Sequence, residues 1–400
     1  MTAEKSRAGK ADRLSGTGQL APDYTKELMF RYLIVLTVCS TAGLQCWRTL
    51  FDNFAVHEAG LSGHHIGMLQ SIREIPGFLA LLVTYVLLII KEHRLSALSI
   101  VILGAGVFLT GFLPSFSGLI LTTLVMSFGF HYYETTNQSL TLQYFDKLIS
   151  PMVFAAQQRY AALANILVGI FIFAIAPFLS YKAMYILFGG LICACGLWAL
   201  TKNPMKKNLP PQKKEMVLRK KYWLFYFLTF MAGARRQIFV AFAVFLLVKK
   251  FGFSVQDITL LFLVNNLINF IISPLVGKFI LRFGERKLLS LEYFSLILIF
   301  IAYAFVESRF LVGILYILDH IFFSFSMGIK TYFQKIASPG DIAPSAAVGF
   351  TINHIAAVVL PVLGGLMWMK DYRIPFLAGA GMGLVSLCLV QLIRIPDSAS

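Results

Sequence analysis

Of the 400 residues, 58% are hydrophobic and only 14% charged, and the mean hydropathy is +0.75. Soluble domains carry roughly 45–50% apolar and about 25% charged residues, so this composition excludes an ordinary soluble protein. The net charge of +16 suggests nucleic-acid binding, but the basic residues flank apolar runs or gather between Lys202 and Lys221. That is a membrane-topology pattern, not a basic groove.

Residues 1–29 are polar and mixed in charge, and they are expected to form a disordered cytoplasmic tail with no signal peptide. Apolar runs then predict twelve spans, near 30–55, 63–90, 95–113, 117–142, 153–178, 183–201, 222–248, 255–281, 288–306, 309–333, 343–369 and 374–393. The fold class is therefore an all-α polytopic membrane protein. Between spans six and seven, residues 201–221 contain Pro204, Pro210 and Pro211 among charges and lack helical periodicity. They read as a basic cytoplasmic linker and hinge between two six-helix bundles, 30–200 and 222–395. The five Cys residues all lie in apolar segments and read as packing residues.

With the N-terminus inside, 24 of the 35 Lys and Arg residues fall on the cytoplasmic side and six on the other. The bias orients a multi-pass protein of the plasma or inner membrane with both termini cytoplasmic. The remaining five are Arg residues within spans.

An internal repeat supports the division into halves. Tyr144-Phe145-Asp146-Lys147-Leu148-Ile149-Ser150-Pro151 follows span four, and Tyr332-Phe333-Gln334-Lys335-Ile336-Ala337-Ser338-Pro339 follows span ten. Five of the eight positions are identical at a fixed offset of 188 residues. Parallel six-span repeats are an architecture of secondary transporters.

The segment Gly277-Lys278-Phe279-Ile280-Leu281-Arg282-Phe283-Gly284-Glu285-Arg286-Lys287 resembles the loop signature of the major facilitator superfamily. The first-half copy, near Lys91 to Arg94, is degenerate. Leu61-Ser62-Gly63-His64-His65-Ile66-Gly67 is similar to that family's entry into its second helix. The resemblance covers residues 28–395 and implies a secondary transporter working by alternating access. It also implies a gating role for Glu285 and Arg286, against the simpler reading that the basic loop only anchors topology.

A charge at the bilayer centre costs roughly 2.5–3.5 kcal/mol even on the lenient insertion scale. Away from the span ends, at membrane depth, nine charged residues are read: Arg48, Asp52, Arg73, Glu74, Glu134, Arg159, Arg235, Arg236 and Asp319. Exposed to lipid they would cost ~25 kcal/mol together, more than the stability of most domains, so they are expected to line a shared interior. Spans three, six and twelve carry no central charge, and span nine has only Glu292 near its cytoplasmic end. The family resemblance makes these the outer, supporting helices.

Gln45, Arg48 and Asp52 share one face of span one, and His131, Glu134 and Gln138 repeat that spacing in span four. Arg48 and Asp52 could also form an intrahelical ion pair. Five Arg against four acids leaves a positive surplus, and the planar guanidinium fork suits carboxylate or phosphate. Arg48 on span one and Arg235 or Arg236 on span seven are similar in placement to the anion clamp of the superfamily's organophosphate–phosphate antiporters. Candidate substrate-binding residues are thus Gln45, Arg48, Asp52, Arg73, Arg159, Arg235, Arg236 and Asn265. Glu134, His131 and Asp319 are the candidates for proton coupling, while Asn266, Asn269 and His354 read as interhelical hydrogen-bonders.

No HExxH, GxSxG or phosphate-cradling Gly loop appears, so a membrane enzyme is not expected. The favoured reading is transport of a small organic or phosphorylated anion, coupled to protons or by exchange. The alternative is a proton-coupled exporter of drugs, cations or metal chelates, the last through Asp319, His320, His131 and Glu134. No cofactor and no resident metal is expected. The expected partners are the substrate, H+ and the lipid bilayer, with no nucleic acid, and the protein is expected to act as a monomer.

Overall fold

The computed structural model describes residues 27–61, 63–205, 209–213, 215–253 and 255–395. All but the last three residues of the expected tail, 1–29, lie outside them. The described residues are helical, with no strand. Span one is Leu28–His57, span two Gly63–Phe78 continued through 79–86, span three Glu92–Thr110, span four Phe116–Tyr144, span five Ser150–Ile175 and span six Tyr181–Leu200. After the linker, span seven is Trp223–Ile238 continued to Lys249, span eight Val255–Phe283, span nine Glu285–Phe305, span ten Arg309–Phe323 continued to Ile336, span eleven Ile342–Lys370 and span twelve Arg373–Val390.

Local chemistry sets several boundaries. Ser115, Ser180 and Ser308 each precede a span and accept a hydrogen bond from the amide three residues on, at 3.2–3.3 Å. They satisfy amides that an N-terminal turn leaves unpaired. Gly284 sits between spans eight and nine at φ 77°, a conformation that side chains with a Cβ rarely adopt.

Among the described residues, eight helices are long and apolar enough to cross a membrane by length and composition alone. Span two falls short because it is interrupted. Pro76 removes a backbone donor, and residues 79–82 tighten into a 3-10 turn. The Leu81 amide then donates to Thr351 Oγ1 of span eleven, at 2.9 Å. Span seven is interrupted by a wide turn at Phe239–Ala243, and span ten by a 3-10 turn at Ser324–Ser326. Such breaks are tolerated at membrane depth only where protein or a cavity satisfies the freed backbone.

Each half has its own core. In the first, Leu33, Leu36, Trp47, Phe51, Ile100, Leu103 and Tyr185 are buried together. In the second, Ile238, Leu246, Phe300, Tyr303 and Phe376 form the equivalent cluster. A further cluster joins the halves on the face that carries the linker, packing Leu142, Phe154 and Ala155 against Val276, Ile280, Tyr332 and Phe333. Each such side chain is worth roughly 1.5–3 kcal/mol when kept from water, so this face is sealed by several kcal/mol.

The linker is fastened rather than free. Asp341, fully buried at the entry to span eleven, takes Lys213 Nζ and Arg219 Nε at 2.9 Å each and the Tyr222 hydroxyl at 2.8 Å. Burial alone would raise the Asp341 carboxyl. The bonds from Lys213 and Tyr222 and the charge of Arg219 outweigh it and hold the group below the usual carboxylate range. Gln212 adds a bond to the Pro339 carbonyl at 2.8 Å and accepts from the Ala343 amide at 3.0 Å.

Candidate functional site

Charged side chains from both halves meet in a layer near the middle of the helices. His131 lies roughly 20 Å along span four from Tyr144, and His354 roughly 18 Å into span eleven from Ile342, at 1.5 Å per residue. Above this layer, toward the face opposite the linker, Arg48 and Asp52 are exposed. Arg48 faces Arg73, Tyr316, Glu74 and Asp52. Among the described residues it has no carboxylate within ion-pair distance, so the intrahelical Arg48–Asp52 pair is not formed. Gln45 turns to Thr49 on its own helix, at 3.1 Å.

Arg73 and Glu74 are paired at 2.6 Å, and the Arg73 guanidinium lies 5.9 Å from the ring of buried Trp47. Glu74 also faces His354, whose Nε2 is 3.9 Å from its second oxygen. The ring of His354 meets that of His131 at 5.0 Å between centroids. One atom from each of Glu74, His131 and His354 lies within 4.8 Å of the others, across the boundary between the halves. Gly77 makes room for this. A Cβ there would come 2.5 Å from His354 Cδ2 and 2.8 Å from His131 Cδ2.

Glu134 belongs to a neighbouring group and faces Lys330 and Arg236. Lys330, counted by its charge with the cytoplasmic flank at the end of span ten, is half-buried, its Nζ over the Phe154 ring at 5.3 Å. Arg236 looks toward Glu74, Arg73 and Glu134, so span seven sends this guanidinium toward the first half.

The adjacent Arg235 does not join it. Arg235 is buried in the second half, 3.7 Å from Glu292 and 4.2 Å from the Tyr293 ring centroid, with Nε donating to the Met231 carbonyl at 3.2 Å. Asp319, also buried, faces Arg235. Glu292, expected near the end of span nine, is therefore an interior partner, fully buried with Arg235.

The remaining candidates are dispersed. Arg159 stacks over Phe270 at 4.4 Å. Asn165 donates to Asn266 at 3.0 Å between spans five and eight. Asn269 bonds His320 at 2.7 Å. Asn265 is buried with neither amide atom hydrogen-bonded among the described residues.

On the linker face the two repeated segments touch. Gln334 donates to the carbonyls of Leu142 and Phe145, both at 2.7 Å, and accepts from Ser150. Glu285 holds Lys335 at 2.6 Å, while Arg286 reaches Gln391 of span twelve at 3.2 Å. Hydrogen bonds between the halves thus lie at the linker face and at mid-depth, and the opposite end holds the exposed Arg48 and Asp52.

No curated protein matches this chain in sequence. In fold it is similar to the human organic anion transporter MFSD10 (TETRAN), with a TM-score of 0.75 and 12% identity over 90% of this chain and 98% of that one. It is similar to the Major Facilitator Superfamily transporter FucP in its outward conformation, with a TM-score of 0.71 and 12% identity over 92% and 99%. A bacterial homologue of the iron transporter ferroportin in an outward-facing state gives 0.74 and 14% identity over 90% and 98%. At these identities the likeness shows the fold alone. The sequence profile described as the Major Facilitator Superfamily matches residues 33–340. With twelve spans in two repeated halves around a charged interior, the chain belongs to the Major Facilitator Superfamily.

Proposed function

We propose that this protein is a secondary active transporter of a small organic or phosphorylated anion, coupled to protons and working by alternating access. The observation that carries this is Arg48. Its guanidinium is exposed, beside Arg73 and facing Tyr316 of the second half, and among the described residues no carboxylate is within ion-pair distance of it. An unpaired guanidinium at membrane depth is costly, and an anionic substrate satisfies it with two-pronged geometry. Arg236 supplies a positive group from the second half toward the same layer.

Proton coupling falls to Glu134, which faces Lys330 and Arg236 of the other half. Losing or gaining a proton there changes the attraction between halves directly. The halves, about 30–200 and 222–395, rock around this layer while the linker keeps them joined. By the charge bias of the loops the linker face is cytoplasmic, which makes the present conformation outward-facing.

The test is a thermal-shift screen of the purified protein against carboxylates, phosphates and cationic dyes. Uptake and proton flux in liposomes would follow for each stabilising compound. Stabilisation by anions, lost in Arg48→Lys, supports the reading, and stabilisation by cationic dyes alone contradicts it.

A further inference from the structure

We propose that Glu74, His131 and His354 form a site for a divalent transition-metal ion, taken up as a complex with an anionic ligand. The anionic part rests on the Arg-lined cavity proposed above; the metal part rests on the geometry of three acceptors. His131 Nδ1 lies 2.9 Å from the Ser127 carbonyl, and His354 Nδ1 lies 2.9 Å from the Phe350 carbonyl. A carbonyl can only accept, so each Nδ1 carries the proton and each Nε2 presents a lone pair. Each ring therefore offers Nε2 as an acceptor; His354 Nε2 is 3.9 Å from Glu74 Oε2, and one ligand atom from each of the three residues lies within 4.8 Å of the others.

Three converging acceptors repel one another unless a cation sits among them. Interhelical hydrogen bonding would need a donor, which the set lacks. The arrangement also has the outer support that metal-binding imidazoles use, in which the second ring nitrogen donates to a backbone carbonyl and fixes ring and tautomer. Arg73 plays the corresponding part for Glu74, donating to Oε1 at 2.6 Å and leaving Oε2 to face His354. Gly77 lets both rings reach this point.

The donor set selects the ion. Two imidazoles and one carboxylate suit zinc, iron, cobalt, nickel or copper, whereas calcium and magnesium require oxygen shells. Tetrahedral ligands around zinc stand about 3.3 Å apart, so the present separations, 4.8 Å at most, close by a small inward shift. Three protein ligands leave a coordination position open. The charges of Arg73 and Arg236 beside Glu74 disfavour a bare dication, and an anionic co-ligand in that open position removes the conflict by reaching the guanidinium of Arg48. Because His354 belongs to the second half and the other two ligands to the first, an occupied site ties the halves together in this conformation.

The experiment is a titration of tag-free, full-length protein in nanodiscs with Co2+, alone and with citrate, read by visible absorption and calorimetry. Thermal stability is recorded for every variant. One Co2+ per chain is expected with a nitrogen-coordinated spectrum, tightened at least tenfold by citrate, and Mg2+ should not compete. His131→Gln and His354→Gln should each weaken Co2+ at least tenfold. Arg48→Lys should reduce the effect of citrate. No saturable Co2+ binding, or binding unchanged in the folded double variant, would overturn the metal site. Citrate binding without Co2+ would in that case still stand for the anion reading. Co2+ binding at these residues with no effect of citrate would overturn the complexed form and count against the anion reading itself.

Discussion

Lys147 Nζ donates to the backbone carbonyl of Lys335, its counterpart 188 residues later in the repeat, at 3.3 Å. The two copies of the repeated segment thus meet at the linker face. Around this bond Gln334 ties two first-half carbonyls, and Phe154 and Leu142 pack against Phe333 and its neighbours. Both copies of the repeat contribute contacts to this face.

Gln334→Ala should weaken these contacts. It removes a donor shared by two carbonyls and leaves them buried without partners, at about 1–3 kcal/mol each. The population open at the linker face should rise at least tenfold. Spin-label distances between the ends of spans four and ten would show it, and an unchanged distance distribution would show that apolar packing alone holds the seal.

Glu285 and Arg286 separate in role. Glu285 holds Lys335, whose carbonyl receives Lys147, whereas Arg286 bonds Gln391 within the second half. Glu285→Gln should therefore lower turnover more than Arg286→Ala, and both should leave equilibrium substrate affinity within about twofold. Loss of affinity in either variant would indicate direct substrate contact.

Arg235 should behave as a structural residue. Removing one partner of a buried ion pair costs about 3–5 kcal/mol, and Arg235→Met leaves both Glu292 and Asp319 uncompensated. A large fall in Tm is expected, largely restored by adding Glu292→Gln, with substrate affinity intact in the folded fraction. Weak binding in a stable double variant would place Arg235 in the binding site.

The Asp341 clasp has a defined pH dependence. Its carboxyl lies below the usual range when folded, so its contribution is full above the unfolded value, about 3.9, and is lost as pH falls through the lower folded value. Hydrogen exchange of residues 215–221, corrected for intrinsic rate, should be flat from pH 8 to 5 and rise only below about pH 4. Asp341→Asn should speed tryptic cleavage at Lys213 and Arg219 already at pH 8.

Much of this was legible in the sequence for physical reasons. Charges within apolar runs stand out, which singles out Arg48, Arg73, Glu74, Glu134 and Arg236, and the five identities between Tyr144–Pro151 and Tyr332–Pro339 mark the halves. Arg235 and Arg236 could not be told apart, because consecutive residues differ by a 100° turn and only packing decides which one faces the cavity. Glu292 was discounted by its position, although the need of a buried guanidinium for a carboxylate could have pointed to it. Lys330 lies within the expected span ten but is counted with its cytoplasmic flank, because a basic residue near a span end reads as a topology signal. The meeting of Glu74 with His131 and His354 joins three helices from two halves, and its depth match leaves no local pattern.

Direct binding of the proposed anionic substrate to Arg48→Lys tests the central claim most closely. Lys keeps the charge and loses the two-pronged fork, so calorimetry on folded, monodisperse protein should show affinity ten- to a hundredfold weaker, about 1.5–3 kcal/mol, with Tm within a degree or two of wild type. Wild-type affinity in Arg48→Lys, or a transported substrate that proves cationic without an anionic ligand, would contradict the account.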